Sequence, residues 1–121
     1  MIYKVAIIGY GYWGPKLARN FHNSNNFKIQ YIIDNSKKNL SKAKVDIPFC
    51  NLLTNYKSVK FNNIDLVVIA TPTASHYRIC KHLLSFTNVL VEKPLCLNSA
   101  QVNELEKIAK KNKKLLFVDY P

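Results

Sequence analysis

The sequence predicts a three-layer, doubly wound α/β fold around a parallel sheet, and three observations support it. Short apolar runs rich in β-branched residues alternate with segments of helical periodicity along the chain. The run Leu66–Ala70 (LVVIA) is continuously apolar, which is typical of a parallel strand buried on both faces. Right-handed connections between successive parallel strands then give the order 3-2-1-4-5-6. At 121 residues, the chain suits one domain over 1–121.

The first half of the chain contains three predicted strands and two predicted helices. Tyr3–Ile8 is a β-branched run that ends at a glycine, as a buried strand would. A helix over Pro15–His22 accepts its proline because that residue falls in the first turn. Ile29–Ile33 is the second apolar strand. Ser36–Lys44 is predicted as a short polar helix, and Asp46–Cys50 as a brief third strand.

The second half has a clearer pattern. A loop over Thr71–Ser75 follows the strand Leu66–Ala70. In the next helix four apolar residues should point inward. The last helix opens at Asn98, which forms a capping-box pattern with Gln101 three residues later, and one of its faces is likewise apolar. The predicted elements are the helix His76–Ser85 with Ile79, Cys80, Leu83 and Leu84 inward, the strand Val89–Val91, the helix to Lys111 with Val102, Leu105, Ile108 and Ala109 inward, and the strand Leu115–Val118.

Composition excludes several classes of protein. The net charge is +11, but sixteen of the eighteen basic residues are lysines spread over several segments, whereas specific nucleic-acid readers rely on arginine. We therefore expect no nucleic-acid partner. The cysteines Cys50, Cys80 and Cys96 lie far apart, which favours small apolar fillers in a reducing compartment over disulfides. No apolar stretch is long enough for a membrane span, no metal-ligand spacing occurs, and a cytoplasmic location is expected.

The strongest local signal is the G-x-G-x-x-G motif formed by Gly9, Gly11 and Gly14. It follows a predicted strand and opens a predicted helix, and the whole chain contains no other glycine. In this motif the first glycine permits a tight turn, the second lets a pyrophosphate approach the backbone, and the third allows close packing of helix against strand. Amide groups at the start of the helix then bind the phosphates. The motif therefore predicts a dinucleotide-binding βαβ unit.

An acidic residue follows this motif at the expected distance. Asp34 lies twenty positions after Gly14, where a carboxylate accepts hydrogen bonds from the adenosine ribose hydroxyls. The same charge repels a 2′-phosphate, so NAD is favoured over NADP. Lys37 and Lys38 leave NADP open as the less favoured alternative, because either lysine is able to pair with that phosphate.

Three segments together resemble a known family. Residues 7–21 read IIGYGYWGPKLARNF, residues 70–76 read ATPTASH and residues 91–95 read VEKPL. In this order and spacing they resemble the NAD(P)-binding Rossmann domain of the Gfo/Idh/MocA oxidoreductases, which include glucose–fructose oxidoreductase and inositol dehydrogenases. The resemblance runs from Lys4 to about Val118. Trp13-Gly14-Pro15 with Arg19-Asn20-Phe21 further resembles the branch that acts on nucleotide sugars, such as UDP-N-acetylglucosamine 3-dehydrogenases.

The resemblance implies roles for residues after the fifth strand. Lys93 matches the lysine beside the nicotinamide and the substrate hydroxyl, so it is the candidate catalytic residue and would assist proton transfer. Its alternative is an ordinary surface lysine. Glu92 matches a residue near the nicotinamide ribose, and Pro94 is a candidate for a cis peptide bond.

The other candidate cofactor contacts surround the glycine motif and the fourth strand. Thr71 and Pro72 match the loop that passes the cofactor, and His76 matches a histidine near it, with a purely structural role as the equal alternative. Tyr12 and Trp13 are expected beside the cofactor at the glycine loop, although Trp13 is also compatible with a core position. The remaining histidines, His22 and His82, match nothing in the family and are expected on helix surfaces.

Some features depart from the family pattern. Lys16 replaces a common Asn, and Asp119 lies near where a His is frequent. The family's second α/β domain, which supplies the substrate pocket, is not in this sequence. The sequence therefore predicts the NAD(P)-binding domain of an oxidoreductase that transfers hydride between nicotinamide and a sugar, nucleotide-sugar or polyol hydroxyl. Such a domain would be catalytically incomplete without a second domain or subunit and could form homo-oligomers. The alternative is a stand-alone, non-catalytic nucleotide-binding or sensing module.

Overall fold

A computed structural model of the protein describes residues 1–119, and it consists of a six-stranded parallel sheet flanked by helices. The strand order is β3-β2-β1-β4-β5-β6, so the predicted fold class and strand order are confirmed. The strands are β1 (Tyr3–Ile8), β2 (Phe27–Ile33), β3 (Asn51–Leu53), β4 (Leu66–Ile69), β5 (Asn88–Glu92) and β6 (Leu116–Asp119). The helices are α1 (Gly14–His22), α2 (Lys37–Asp46), α3 (His76–Leu83) and α4 (Ser99–Lys111).

Each face of the sheet carries its own apolar core, which confirms the three layers. Successive residues of a strand point to opposite faces. Val5 and Ile7 of β1 accordingly join the cluster under α1 and α2, while Ala6 and Ile8 join the cluster under α3 and α4. The second cluster is the larger, and it includes the four inward residues predicted for α3 together with Leu105 and Ala109 of α4. The central strands are therefore buried on both sides.

Local sequence signals explain how the helices begin. Asn98 caps α4 and its side-chain oxygen accepts a hydrogen bond from the Gln101 amide at 2.9 Å, as the predicted cap requires. Ser36 caps α2 in the same way through the Asn39 amide at 3.3 Å. Pro15 occupies the first turn of α1. The predicted helices are thus confirmed to within a few residues at their ends.

The third strand was predicted in the wrong place. The segment Asp46–Cys50 contains the end of α2 and a turn, and the strand that pairs with Tyr31–Ile33 is Asn51–Leu53. The reason is that α2 continues its buried face past Ala43 to Ile47, so the apolar residue taken for a strand belongs to the helix packing. The connection from β3 to β4, for which no element was predicted, holds two short 3₁₀ turns.

Two further expectations concern isolated side chains. Cys80 and Cys96 are buried as predicted, and burial raises the pKa of the Cys80 thiol to about 12, which makes it unreactive. His22 is exposed on α1, but His82 is half-buried against the rings of Tyr56, Phe61 and Phe86. The prediction of a surface position for His82 is wrong because the irregular β3–β4 connection packs over that end of α3. Within residues 1–119 the helices are too short and too polar to cross a lipid bilayer.

Candidate functional site

A cleft of about 810 Å³ opens at the carboxyl ends of the central strands. The chain leaves β1 toward α1 on one face and β4 toward α3 on the other, so the cleft lies where the winding direction of the sheet reverses. Open α/β sheets bind ligands at this position. The walls are formed by Ile8, Gly9, Gly11, Tyr12, Trp13, Ile33, Asp34, Asn35, Asn39, Thr54, Asn55, Tyr56, Ala70, Thr71, Pro72, Ser75, Arg78 and Ile79.

The three glycines have different surroundings, and each fits its predicted role. Gly9 has φ of +98°, and a Cβ there would lie 2.8 Å from the Ala70 carbonyl, so the tight turn excludes other residues. A Cβ on Gly14 would lie 2.1 Å from the Gly9 carbonyl oxygen, which shows how closely α1 approaches the turn. At Gly11 a Cβ would meet nothing within 4 Å. The predicted turn and close packing are confirmed, and the space at Gly11 is open to the cleft.

The start of α1 offers hydrogen-bond donors to that open space. Trp13 is the N-cap residue, and its side chain makes no capping hydrogen bond to the helix. The amide groups of the first turn of a helix have no partner within the helix, and the helix dipole adds a partial positive charge there. A ligand phosphate at Gly11 would therefore meet unsatisfied donors and a favourable field.

Asp34 stands at the end of β2 and is held by three hydrogen bonds. Its Oδ2 accepts from the Tyr10 amide at 2.7 Å and from the Asn39 side-chain amide at 3.1 Å. Its Oδ1 accepts from the Ser36 amide at 2.8 Å. The carboxylate is thus fixed in orientation at the cleft wall, where the sequence predicted a ribose acceptor.

Two aromatic residues project from the glycine loop. The rings of Tyr12 and Trp13 meet edge to face with centroids 5.1 Å apart, and both line the cleft. Lys16 Nζ lies 4.2 Å from the centroid of Tyr12 and 4.6 Å from that of Trp13, within the range of a cation–π contact. Trp13 is 49% exposed, so it does not occupy a core position.

The loop after β4 borders the cleft and is braced by its own side chains. Thr71 and Ser75 share a hydrogen bond of 2.6 Å between their hydroxyl oxygens, and the Ser75 hydroxyl also lies 2.7 Å from the Pro72 carbonyl oxygen. The three residues line the cleft. Thr71 and Pro72 therefore stand at the cleft beside the glycine turn, and their contact with the cofactor stays a prediction.

His76 lies behind the cleft wall and is 1% exposed. Its Nε2 is 2.8 Å from the carbonyl oxygen of Thr71, and its Nδ1 is 3.0 Å from that of Pro94 and 3.2 Å from that of Leu95. The imidazole thus joins the loop after β4 to the loop after β5. This contact is structural, and a contact of His76 with the cofactor stays a prediction.

Glu92 is the last residue of β5 and Lys93 follows it, at the same edge of the sheet as the cleft, but neither is among the residues that line the cleft. The Lys93–Pro94 peptide bond is cis, which confirms that prediction. Glu92 is paired with Asp119 of β6 across the sheet. Burial raises the pKa of the Glu92 carboxyl, and so does the neighbouring Asp119, while the Lys93 charge acts in the opposite direction. The role of Lys93 stays a prediction.

Several cleft residues were not identified from the sequence. Asn55 and Tyr56 belong to the irregular β3–β4 connection, which had no periodicity to interpret. Arg78 comes from α3, two residues after His76. Of these residues, Asn39 could have been identified from the sequence. It stands three residues after the helix cap Ser36, and this spacing brings its side chain near Asp34.

Comparisons with known proteins show the family to which the chain belongs. Residues 3–120 match the family described as an oxidoreductase family with an NAD-binding Rossmann fold, GFO_IDH_MocA. The uncharacterized oxidoreductase YdgJ of Escherichia coli (strain K12) is 32% identical over 120 residues, which is 95% of this chain and 33% of that protein.

Two solved structures at 28% identity are similar in fold. One is biliverdin reductase from Synechocystis sp. PCC 6803 in complex with biliverdin and NADP⁺, with a TM-score of 0.89 over 96% of this chain and 37% of that one. The other is myo-inositol 2-dehydrogenase from Lactobacillus plantarum, with a TM-score of 0.89 over 98% of this chain and 36% of that one. The chain spans about a third of the length of these relatives. With its glycine cleft and this match over almost its whole length, the chain belongs to the Gfo/Idh/MocA oxidoreductase family and forms its NAD-binding Rossmann fold.

Proposed function

We propose that residues 1–121 act as the nucleotide-binding domain of a dehydrogenase or reductase and bind a nicotinamide dinucleotide in the cleft. The observation that carries this proposal is the geometry of the glycine loop. A Cβ at Gly9 would lie 2.8 Å from the Ala70 carbonyl and a Cβ at Gly14 would lie 2.1 Å from the Gly9 carbonyl oxygen, so both positions require glycine. Gly11 faces open space beside the uncapped start of α1. A pyrophosphate fits that combination of room, amide donors and dipole.

The preferred cofactor in this proposal is NAD(H). Three hydrogen bonds fix the Asp34 carboxylate at the cleft wall, and its negative charge would repel a 2′-phosphate bound beside it. The Synechocystis biliverdin reductase binds NADP⁺, so relatives of this family differ in cofactor. Lys37 and Lys38 at the start of α2 are the groups that would support NADP(H) here as the less favoured alternative.

The proposed reaction is hydride transfer between nicotinamide and a hydroxyl-bearing carbon of a sugar, nucleotide sugar or polyol. This substrate class is supported by the similar structure of myo-inositol 2-dehydrogenase, an enzyme named for its action on a polyol. The bound nicotinamide supplies the hydride chemistry, and the protein supplies position and electrostatics. Lys93, at the carboxyl end of β5, is the proposed catalytic residue for proton transfer at the substrate hydroxyl, with Glu92 beside it. Substrate binding would require a second domain or subunit.

The remaining expectations concern surroundings and partners. The three cysteines are free, which fits a cytoplasmic, reducing environment. We propose no nucleic-acid or membrane partner, since the arginines that specific readers use are scarce. A homo-oligomer remains compatible with this domain.

Titration with NADH tests the central proposal, and Trp13 is a convenient reporter. It is the sole tryptophan of the chain and stands at the mouth of the cleft. We expect saturable quenching of its fluorescence by NADH, and weaker binding of NADPH. Lack of binding at millimolar NADH would overturn the proposal.

A glycine variant locates the binding site. Because a Cβ at Gly11 meets no protein atom, Gly11→Ala should fold with an unchanged melting temperature but lose about tenfold or more in NADH affinity. Asn103→Ala, on the exposed side of α4, is the matched control and should bind as the unaltered protein does. Equal NADH affinity in both variants would place the pyrophosphate elsewhere.

A second candidate is a non-catalytic nucleotide-binding module. It is favoured by the position of Lys93, which stands outside the residues that line the cleft. This candidate requires NADH binding without turnover, even after addition of candidate partner subunits. A turnover screen with NAD⁺ and myo-inositol or nucleotide sugars separates the two functions.

A further inference from the structure

We infer that Tyr10 and Asp46 form a positioning pair that holds Asp34 in place to read the 2′-hydroxyl of the adenosine ribose. The inference rests on the proposed dinucleotide binding. Tyr10 stands between the first two glycines of the loop, and Asp46 is the last residue of α2. Neither residue lines the cleft, so both would act through Asp34.

The side chain of Tyr10 lies fully inside the protein, whereas those of Tyr12 and Trp13 in the same loop are exposed. Tyr10 is 1% exposed, and its ring packs in the apolar cluster under α1 and α2. Its hydroxyl donates a hydrogen bond of 2.6 Å to Asp46 Oδ2. Burial, followed by the bond to Asp46, raises the pKa of the Tyr10 phenol, so the hydroxyl stays a donor at any physiological pH. The loop is therefore attached to the far end of α2.

The near end of α2 is attached to Asp34. Ser36 caps the helix, and its own amide donates to Asp34 Oδ1. Asn39, in the first turn, donates from its side chain to Asp34 Oδ2. The Tyr10 amide donates to the same Oδ2 at 2.7 Å. Tyr10 thus contacts Asp34 through its backbone amide and the last residue of α2 through its phenol. Since the first turn of α2 also contacts Asp34, both ends of the helix are connected to this carboxylate.

These contacts leave a defined place for the ligand. An ionised carboxylate has about four acceptor positions on its two oxygens. Three are filled by Tyr10, Asn39 and Ser36, and Oδ2 already accepts twice. One position remains, on Oδ1, so Asp34 can accept from one ribose hydroxyl. A carboxylate with a single open position discriminates only while its orientation is held, and Tyr10 with Asp46 supplies that constraint.

The test compares ADP with 2′-deoxy-ADP, which differ only at the hydroxyl in question. The variants are Tyr10→Phe, which keeps the buried ring, and Asp46→Ala, which removes the acceptor. We expect each variant to lose about three- to tenfold in affinity for ADP and less than twofold for 2′-deoxy-ADP, measured by calorimetry. Asp46→Asn keeps an acceptor oxygen and should recover most of the lost affinity.

The controls separate this inference from general loosening of the loop. Tyr3→Phe removes a phenol at the opposite end of β1 and should leave both affinities unchanged. If Tyr10→Phe and Asp46→Ala bind ADP as tightly as the unaltered protein, or lose equally for both nucleotides, the positioning role is wrong. If the unaltered protein binds neither NADH nor ADP, the proposed function itself fails. Binding of both nucleotides with equal affinity by the unaltered protein would show that Asp34 does not read the 2′-hydroxyl.

Discussion

At the scale of single residues, two buried polar side chains fix loops at opposite ends of the sheet: His76 beside the cleft at the carboxyl ends of the strands, and Thr87 at the amino ends of β4 and β5. His76 and Thr87 are each 1% exposed. Thr87 donates a hydrogen bond of 2.6 Å to the Ile64 carbonyl oxygen, and His76 stands among three backbone carbonyl oxygens of two different loops. Buried polar groups of this kind fix loop positions because leaving a partner unsatisfied is costly. His76 thereby links the loop that carries Thr71 to the loop that carries Lys93.

Replacement of His76 tests this role. We expect His76→Leu to lower the free energy of unfolding by about 1–3 kcal/mol, because buried carbonyl groups lose their donor. The NADH affinity should fall with it, because the loop after β4, which lines the cleft, loses its attachment to the loop after β5. Urea denaturation and fluorescence titration measure the two effects.

His22 provides the control for this substitution. It is exposed on α1, and His22→Leu should change the free energy of unfolding by no more than about 0.5 kcal/mol. A His76→Leu variant as stable as His22→Leu would contradict the structural role.

Residues differ in how far sequence alone reveals them. Gly9, Gly14 and Asp34 were predicted because the tight turn, the close approach of helix to turn, and the spacing between the glycine motif and the acidic residue are all encoded in a short segment. Tyr10 was not, because its partner Asp46 is 36 positions away and nothing between them predicts that the two meet. Arg78 and Tyr56 were missed for the same reason.

At the scale of elements, α3 and α4 are joined by a small polar network on their exposed side. Tyr77 donates a hydrogen bond to Glu104 Oε2, and Lys81 Nζ lies 3.2 Å from Glu104 Oε1. The bond from Tyr77, followed by that from Lys81, holds the pKa of Glu104 below its usual 4.5. Bonds to Tyr77 and Glu104 raise the pKa of Lys81. The network therefore depends on pH.

The sign of this dependence follows from linkage. A carboxyl with a lowered folded-state pKa stabilises the fold above its unfolded pKa, and that stabilisation is lost as pH falls through the folded value. Lys81 has a raised folded-state pKa, so its contribution to stability is present at lower pH and is lost as pH rises through that pKa. We expect Glu104→Gln to be less stable than the unaltered protein near about pH 7, and the difference to vanish near about pH 3. Urea denaturation at both pH values measures it.

Glu106 supplies a matched control on the same helix. It is exposed, and the network of Tyr77 and Lys81 does not include it. Glu106→Gln should show little change at either pH. A stability difference for Glu104→Gln that is the same at both pH values would contradict the pH-dependent network.

Elements were predictable where their signals were strong. The caps at Ser36 and Asn98 mark helix starts because side-chain oxygens there satisfy free amides. The third strand was misplaced because it is only three residues long and depends on pairing with β2. Such a short strand at the sheet edge carries too little periodicity to be recognised alone.

At the scale of the whole molecule, the net charge of +11 remains largely uncompensated. All sixteen lysines except Lys114 are exposed, and within residues 1–119 the only ion pair joins Lys81 and Glu104. A positive field of this size attracts an anionic ligand from a distance and is screened by salt.

Salt should therefore weaken NADH binding. We expect the dissociation constant to rise several-fold between about 20 and 500 mM NaCl, over which the Debye length falls from about 20 Å to about 4 Å. Adenosine, which is uncharged, should show almost no change. Salt-independent NADH binding would mean that the lysines do not contribute to capture of the cofactor.

Local sequence patterns were sufficient to predict the alternation of strands and helices, the strand order and the glycine turn after β1. These depend on hydrophobic periodicity and on backbone space, which short segments encode. Only the tertiary structure decided which side chains meet around the glycine loop. The bonds of Tyr10 to Asp46 and of His76 to the Pro94 loop join residues distant along the chain, because packing on the sheet brings their elements together. The sequence thus located the cleft at Gly9, Gly11 and Gly14, and the fold determined how rigidly that cleft is held.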